Sequence, residues 1–184
     1  MRRGLVIGLL GLLVAGGCVS TAAKQAFYGV TGASGRYFEV KSLGDERSLL
    51  GYRSVRVEKF DASLMRGAIP RDVLAEVRPA IQAKVAELEP FAAGGEAEPV
   101  LVIRGKFHDY DPGGSALRAA GLSGNPFLTA QIELVDGASG KVLGVAMVTG
   151  TVKSALRTGA KELADGVAKA VKGLLEAHTE RPGE

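Results

Sequence analysis

The sequence predicts an α/β (α+β) two-layer sandwich, a mixed sheet of about four to five strands with two helices packed on one face. Apolar residues recur at helical spacing in two separated stretches, 71–89 and 156–178. β-rich runs flank the first stretch, and the last two are joined by a short turn. The order strand, helix, strand, strand, strand, helix therefore contains one crossover, which makes a parallel pair, followed by an antiparallel meander.

The elements follow in order. "YFEVKSL", 37–43, reads as a first strand or edge ribbon, and "YRSVRVEKF", 52–60, as a second, with Val55 and Val57 on one face and Arg56 and Glu58 on the other. After Pro70, Val73, Val77, Ile81, Val85 and Leu88 form a helical stripe, which Pro79 is expected to kink or split. "VLVIRGKFHDY", from Val100, opens with four apolar residues and reads as a central strand covered on both faces. In "LTAQIELVD", Leu128, Ala130, Ile132 and Leu134 point inward while Thr129, Gln131 and Glu133 point out. "GASGK", 137–141, is a hairpin turn and 142–152 its return strand.

The last helix buries Leu156, Ala160, Leu163, Val167, Val171 and Leu174. Gly159, Gly166 and Gly173 recur along one flank, where glycine costs about 1 kcal/mol each relative to alanine. Either a neighbour approaches that flank closely or the glycines are merely tolerated, and tolerance is the reading adopted.

The 184 residues fit one domain plus a targeting segment, with 46% hydrophobic and 23% charged content typical of a globular chain. Tryptophan is absent and aromatics make up 5%, which argues against an aromatic-lined sugar or nucleic-acid groove. The formal charge of +3 falls to +1 once Arg2 and Arg3 are set aside with the leader, so basicity gives no case for nucleic acid.

Met1-Arg2-Arg3 is a basic start, Gly4 to Val14 an apolar run of eleven, and "AGGC" brings small residues up to the lone cysteine, Cys18. Eleven residues fall short of the roughly 20 that span a bilayer, and the pattern is that of an export signal. The segment resembles the lipobox of bacterial lipoproteins, which implies cleavage before Cys18 and acylation of its thiol, with three chains where one would hold only weakly. Residue 19 is Val rather than the Asp that retains many such proteins at the inner membrane, so the expected place is the outer membrane, facing the periplasm. The organisation expected is a signal peptide 1–17, a lipidated tether 18–36, one periplasmic domain 37–178 and a disordered tail 179–184.

No catalytic constellation stands out. The glycines of 111–127 lack a following Lys-Ser or Lys-Thr and lead into a strand rather than a helix, which excludes a phosphate loop. Ser34 and Ser139 lie in "GASG" rather than on a strand-to-helix elbow. His178 reads as a solvated cap at the end of the last helix. In "HDYDP", strand alternation sends Asp109 and Asp111 to one face and His108 and Tyr110 to the other, so the cluster is read as a strand end with an Asp-Pro turn. The sequence implies no metal and no cofactor, and a hydrolase acting on envelope substrates through His108, Asp109 and Asp111 is the alternative to a non-enzymatic role.

The stretch "RGKFHDYDPGGSALRAAGLSGNPFLTAQIELVDGASGKVLGVAMVTG", 104–150, resembles a family of bacterial lipoproteins known only as domain of unknown function 4410. The residues carrying the resemblance are Leu117-Arg118, Asp136 and Gly140-Lys141, within a match over roughly 50–175. The layout is also distantly similar to the periplasmic domain of the curli-secretion channel lipoprotein and to the lipoprotein activator of peptidoglycan synthases. Those relatives imply assembly or docking, and no reaction, cofactor or catalytic residue. The loop 111–127 is too long for a simple hairpin and is read as a contact loop, with Leu117, Arg118, Leu122, Asn125 and Phe127 as candidate interaction residues. The partners expected are the membrane, through the N-terminal lipid, and either a second copy or another envelope protein.

Overall fold

The computed structural model describes residues 32–43, 49–63, 65, 69–89, 91, 97–114, 124–152 and 159–179. The elements are β1 (Ala33–Lys41), β2 (Ser54–Val57), α1 (Arg71–Val85), β3 (Val100–Asp111), β4 (Phe127–Asp136), β5 (Val142–Val152) and α2 (Ala160–Ala177). They form a five-stranded sheet of order β1-β5-β4-β3-β2, with both helices on one face. This is the expected α+β sandwich with a mixed sheet. The crossover through α1 makes β2 and β3 parallel, Val57 beside Ile103, and every other pair is antiparallel.

Alternation decides which side of each strand is covered. Leu101, Ile103 and Phe107 of β3, Leu128 to Leu134 of β4 and Ala146, Val148 and Val152 of β5 meet Val77 and Ile81 of α1 and Val167, Val171 and Leu174 of α2. Each Val, Leu, Ile or Phe among them, fully buried, contributes about 1.5–3 kcal/mol. Just past α1, Glu87 bonds Lys84 at 2.7 Å and Lys172 of α2 at 2.9 Å, tying the two helices together. These two lysine bonds hold the Glu87 carboxyl well down, at about 2.

Four expectations are corrected. First, β1 begins at Ala33, so residues 33–36, assigned to the tether, are already strand. Second, Pro79 lies inside one continuous helix. The proline sits on the exposed side, and the missing N–H removes a single bond while Val77 and Ile81, both fully buried, hold the chain in register on either side. Third, β3 is an interior strand, between β4 and β2, but its second face is covered only at its start, by a small cluster of Val100, Val102, Val135 and Val142, and is exposed from Arg104 on.

The fourth correction concerns the glycines of α2. A Cβ on Gly166 would stand 2.9 Å from Gly150 Cα and 2.9 Å from the Ser34 carbonyl oxygen. One on Gly150 would stand 2.5 Å from the Val167 nitrogen, and one on Gly35 would run into the backbone of Gly166 and Ala170. Gly35 and Gly150 are cross-strand partners, so β1 and β5 together offer a side-chain-free patch against which α2 lays its own backbone. Glycine is required at Gly166. At Gly173 a Cβ would meet only the Tyr37 ring at 3.5 Å, an ordinary contact, and there the tolerance reading stands.

Candidate functional site

The loop between β3 and β4 is described at its two ends. β3 carries a bulge at His108: Phe107 pairs with Ala130, Asp109 with Thr129, and His108 is left without a partner residue. Downstream of it, Asp109 and Asp111 lie opposite Thr129 and Phe127 on the helix-free face, while Tyr110 lies opposite the buried Leu128 on the helix side. Tyr110 sits under the helices near Asp72, and its hydroxyl pKa is raised, first by burial and then by that carboxylate. Asp111 accepts the Gly113 N–H at 2.7 Å, the Asx geometry of a turn, and Gly113 takes φ 72°. The His108 Nε2 is buried without a hydrogen-bond partner. The two carboxylates thus share a face, and the one at the chain reversal closes the turn.

Of the candidate contact residues, Asn125 is exposed and Phe127 is half-buried at the start of β4, opposite Asp111 and Thr151. Leu117, Arg118, Leu122 and Cys18 lie outside the described residues, as do the signal peptide and all of the tail but Thr179.

The "LVDGASGK" motif has a structural explanation. Asp136 accepts both the N–H and the hydroxyl of Ser139, and its other oxygen accepts the Tyr52 hydroxyl at 2.9 Å. Gly140, at φ 72°, returns its N–H to the Asp136 carbonyl at 2.8 Å, which closes the turn. The Ser139 bonds, then Tyr52, hold the Asp136 carboxyl below its usual range. Burial, then the adjacent carboxylate, pushes the Tyr52 hydroxyl up to about 12. The motif therefore locks the β4–β5 hairpin to the segment before β2, with the Asp136 carboxylate and the Ser139 hydroxyl engaged by each other.

His178 was read as solvated and is instead buried, 5% exposed. Its Nε2 lies 2.9 Å from Glu39 of β1, and its Nδ1 is buried without a partner. The contact joins residues 139 apart in the chain, so no local pattern signalled it.

A shallow recess of about 290 Å³ lies near the end of β2, lined by Glu58, Lys59, Asp61, Arg104, Lys106 and Glu133, with Gly105 and Gln131. Its charges are three of each sign. Arg104 pairs with Glu58 at 3.0 Å and Lys106 approaches Glu133 at 3.9 Å. Both oxygens of Asp61 accept from Ser63, which lowers its pKa. The recess offers neither a nucleophile nor an aromatic face. Among the described residues no group of three or more His, Cys, Asp or Glu could hold a metal ion.

The two edges of the sheet are unlike. β2 is four residues long, carries the exposed Arg56, and is followed by a segment bonded along β3 through Glu58 and Asp61. β1 is nine residues long and presents Phe38, 71% exposed, and Val40, 61% exposed, the exposed large hydrophobics among the described residues. Phe38 lies opposite Met147 on the helix-free face, and Val40 occupies a bulge. Sequence reading passed over both, because alternation in an edge strand looks the same whether or not its outer side is covered.

No protein-family model matches the chain, and no curated protein matches it, so neither comparison shows the family expected from the motif at 104–150. Among solved structures, the PelC dodecamer of Paraburkholderia phytofirmans is similar in two crystal forms, both at TM-score 0.40. Identity is 17% over 76% of this chain and 97% of that one, and 15% over 81% and 99%. A Caulobacter crescentus chain provisionally assigned as a lipoprotein superposes at TM-score 0.39 with 10% identity, over 75% of this chain and 96% of that one. At superpositions this loose the neighbours carry no argument about what this chain does.

Proposed function

We propose that the chain is a lipid-anchored envelope lipoprotein, at the outer membrane and facing the periplasm, whose domain is a non-catalytic binding or assembly module. The observation that carries the reading is the N-terminal series of basic start, short apolar run and small residues before the lone Cys18, followed within fifteen residues by the first strand of a folded domain. An acylated Cys18 holds that domain close to the bilayer, and residues 19–32 act as the tether. The domain works there by contact, with a second copy or with another envelope protein. The family resemblance at 104–150 supports the same reading.

The hydrolase alternative gains nothing from the geometry. Asp111 is engaged in a turn, Asp109 is exposed, and His108 is the unpaired residue of a bulge. No second reading is favoured by a specific contact.

Metabolic labelling with an alkyne analogue of palmitate, with mass analysis of the mature N-terminus, tests the anchor. The wild-type chain is expected to take the label, begin at Cys18 and sediment with outer-membrane markers. The Cys18→Ser chain is expected to lose the label and remain unprocessed. Equal labelling of the two chains would overturn the proposal.

A further inference from the structure

We infer that the end of the domain at which β1, α1 and α2 all begin faces the bilayer and rests on its phosphate headgroups. The inference deepens the anchor reading above and rests on it for the lipid at Cys18. The elements share one polarity. Ala33, at the start of β1, pairs with Val152 at the end of β5, and the Val152 N–H donates to the Pro126 carbonyl just ahead of β4. Asp111, the end of β3, lies opposite Phe127. α2 starts beside the same rungs, since a Cβ on Gly150 would meet the Leu163 carbonyl, and α1 starts there too, with Asp72 near Tyr110. The opposite ends gather on the far side, where His178 meets Glu39 and Lys172 meets Glu87.

Three connections, 62–70, 112–126 and 153–159, therefore leave from and return to the end that bears the tether. Each carries the same short pattern: Ser-Leu-Met-Arg at 63–66, and Ser-Ala-Leu-Arg at both 115–118 and 154–157. With Lys153 they hold four cations and no acid, a net of +4, and Lys24 of the tether adds another. Asp109 and Asp111 at the end of β3 reduce this balance without reversing it. At the far end the connections 42–53, 86–99 and 137–141 come to −3, with Glu87, Glu89, Glu96 and Glu98 all in one of them. An arginine next to a leucine or methionine suits a headgroup layer. The guanidinium binds phosphate oxygens in a two-pronged fashion while its apolar neighbour enters the acyl boundary.

The tether length selects the same end. Lys169 of α2 donates to the Ala33 carbonyl at 3.0 Å, which fixes where the tether leaves the fold. β3, of 12 residues, runs the length of the sheet, about 40 Å. A random coil of fourteen residues, the count from 19 to 32, averages about 20 Å end to end and reaches about 45 Å only when fully extended. Seating the far end on the bilayer would take almost the whole extended length, so an acylated Cys18 draws the Ala33 end down.

Full-length chain carrying Leu117→p-benzoylphenylalanine or Leu156→p-benzoylphenylalanine, irradiated in cells, is expected to give phospholipid adducts at least fivefold above the same probe at Ala138, in the far-end hairpin. Combining Arg66→Glu, Arg118→Glu and Arg157→Glu is expected to lower the Leu156 adduct several-fold at unchanged Tm, and lysine at the same three positions to keep most of it. Equal phospholipid yields at the two ends, adducts with protein only, or a Leu156 yield that survives the three glutamates would overturn the inference. Should the glutamate variant not fold, the comparison of the two ends in the parent chain decides alone. Lipid labelling of Cys18 in the same cells separates the two readings. Confirmed labelling with equal adducts at the two ends leaves the anchor standing and the orientation fallen. Excess adducts at Leu117 and Leu156 from a chain whose Cys18 takes no lipid do the reverse.

Discussion

Adding one methyl group to α2 is expected to have opposite effects at two positions seven residues apart. At Gly166 the new Cβ lands 2.9 Å from Gly150 Cα and from the Ser34 carbonyl oxygen, where carbon contacts normally lie at about 3.5–4.0 Å. The obstructing atoms are backbone in β5 and just ahead of Gly35, so no rotamer change relieves them, and the helix must withdraw by about 0.5 Å or more. Overpacking of this kind costs about 1–3 kcal/mol, and the upper end applies because Leu163, Val167 and Val171 move with the helix. Alanine returns about 1 kcal/mol of helix propensity. Gly166→Ala is therefore expected to destabilise by about 2 kcal/mol, lowering Tm by about 4–8 °C. Gly173→Ala meets only the Tyr37 ring at 3.5 Å, keeps the propensity gain of about 1 kcal/mol and raises Tm by about 2–4 °C. Urea and thermal unfolding of the two variants beside the parent chain provide the measurement. If both substitutions stabilise, the close approach of backbone to backbone is wrong and both glycines are merely tolerated.

Three further outcomes rest on the polar ties. Held at about 2 in the fold against an ordinary 4.5, Glu87 adds stability above pH 4.5 and loses it as the pH falls through 2. Glu87→Gln is expected to flatten that acid limb of a stability–pH curve, and high salt to weaken it, since the group is exposed. The raised pKa of Lys172 acts at the other extreme, adding stability that is lost as the pH climbs beyond 10.5. Tyr52→Phe is expected to lower Tm by a few degrees and to raise the pKa of Asp136 in an NMR titration, because one of the bonds holding that carboxyl down is gone. An unmoved Asp136 pKa would show that the hairpin lock does not include Tyr52.

What the sequence disclosed was local. The alternation of Leu128 to Leu134 and the "GASGK" turn are set by neighbours along the chain, and both appear where expected. So does the parallel pair, because a helix between two strands leaves few other connections. The onset of β1 was missed because "ASGR" is weak strand material, and Gly35 makes sense only against Gly166, more than a hundred residues away. His178 looked solvated for the same reason, since its partner Glu39 is at the opposite end of the chain. The "LVDGASGK" motif was visible, but its role in closing a turn required the position of Tyr52. Pro79 was overweighted. A rule about one lost bond is outweighed when a buried stripe on both sides holds the helix together.

The glycine seam also governs how α2 can move. Near Gly166 the helix rests backbone on backbone against β1 and β5, with no side chain to compress or re-rotate. Toward its C-terminus the spacing is set by long side chains, Leu174, Leu175 and Tyr37, which have rotamers to exchange, and the end is fastened to β1 through His178 and Glu39. A helix seated backbone on backbone in this way resists sliding along the sheet, because a shift along its axis would drive the Cβ of a neighbouring residue into the glycine patch. Two residues beyond Ala170, Lys172 meets Glu87 just past α1, so the seam that sets the height of α2 over the sheet also sets where the two helices are joined.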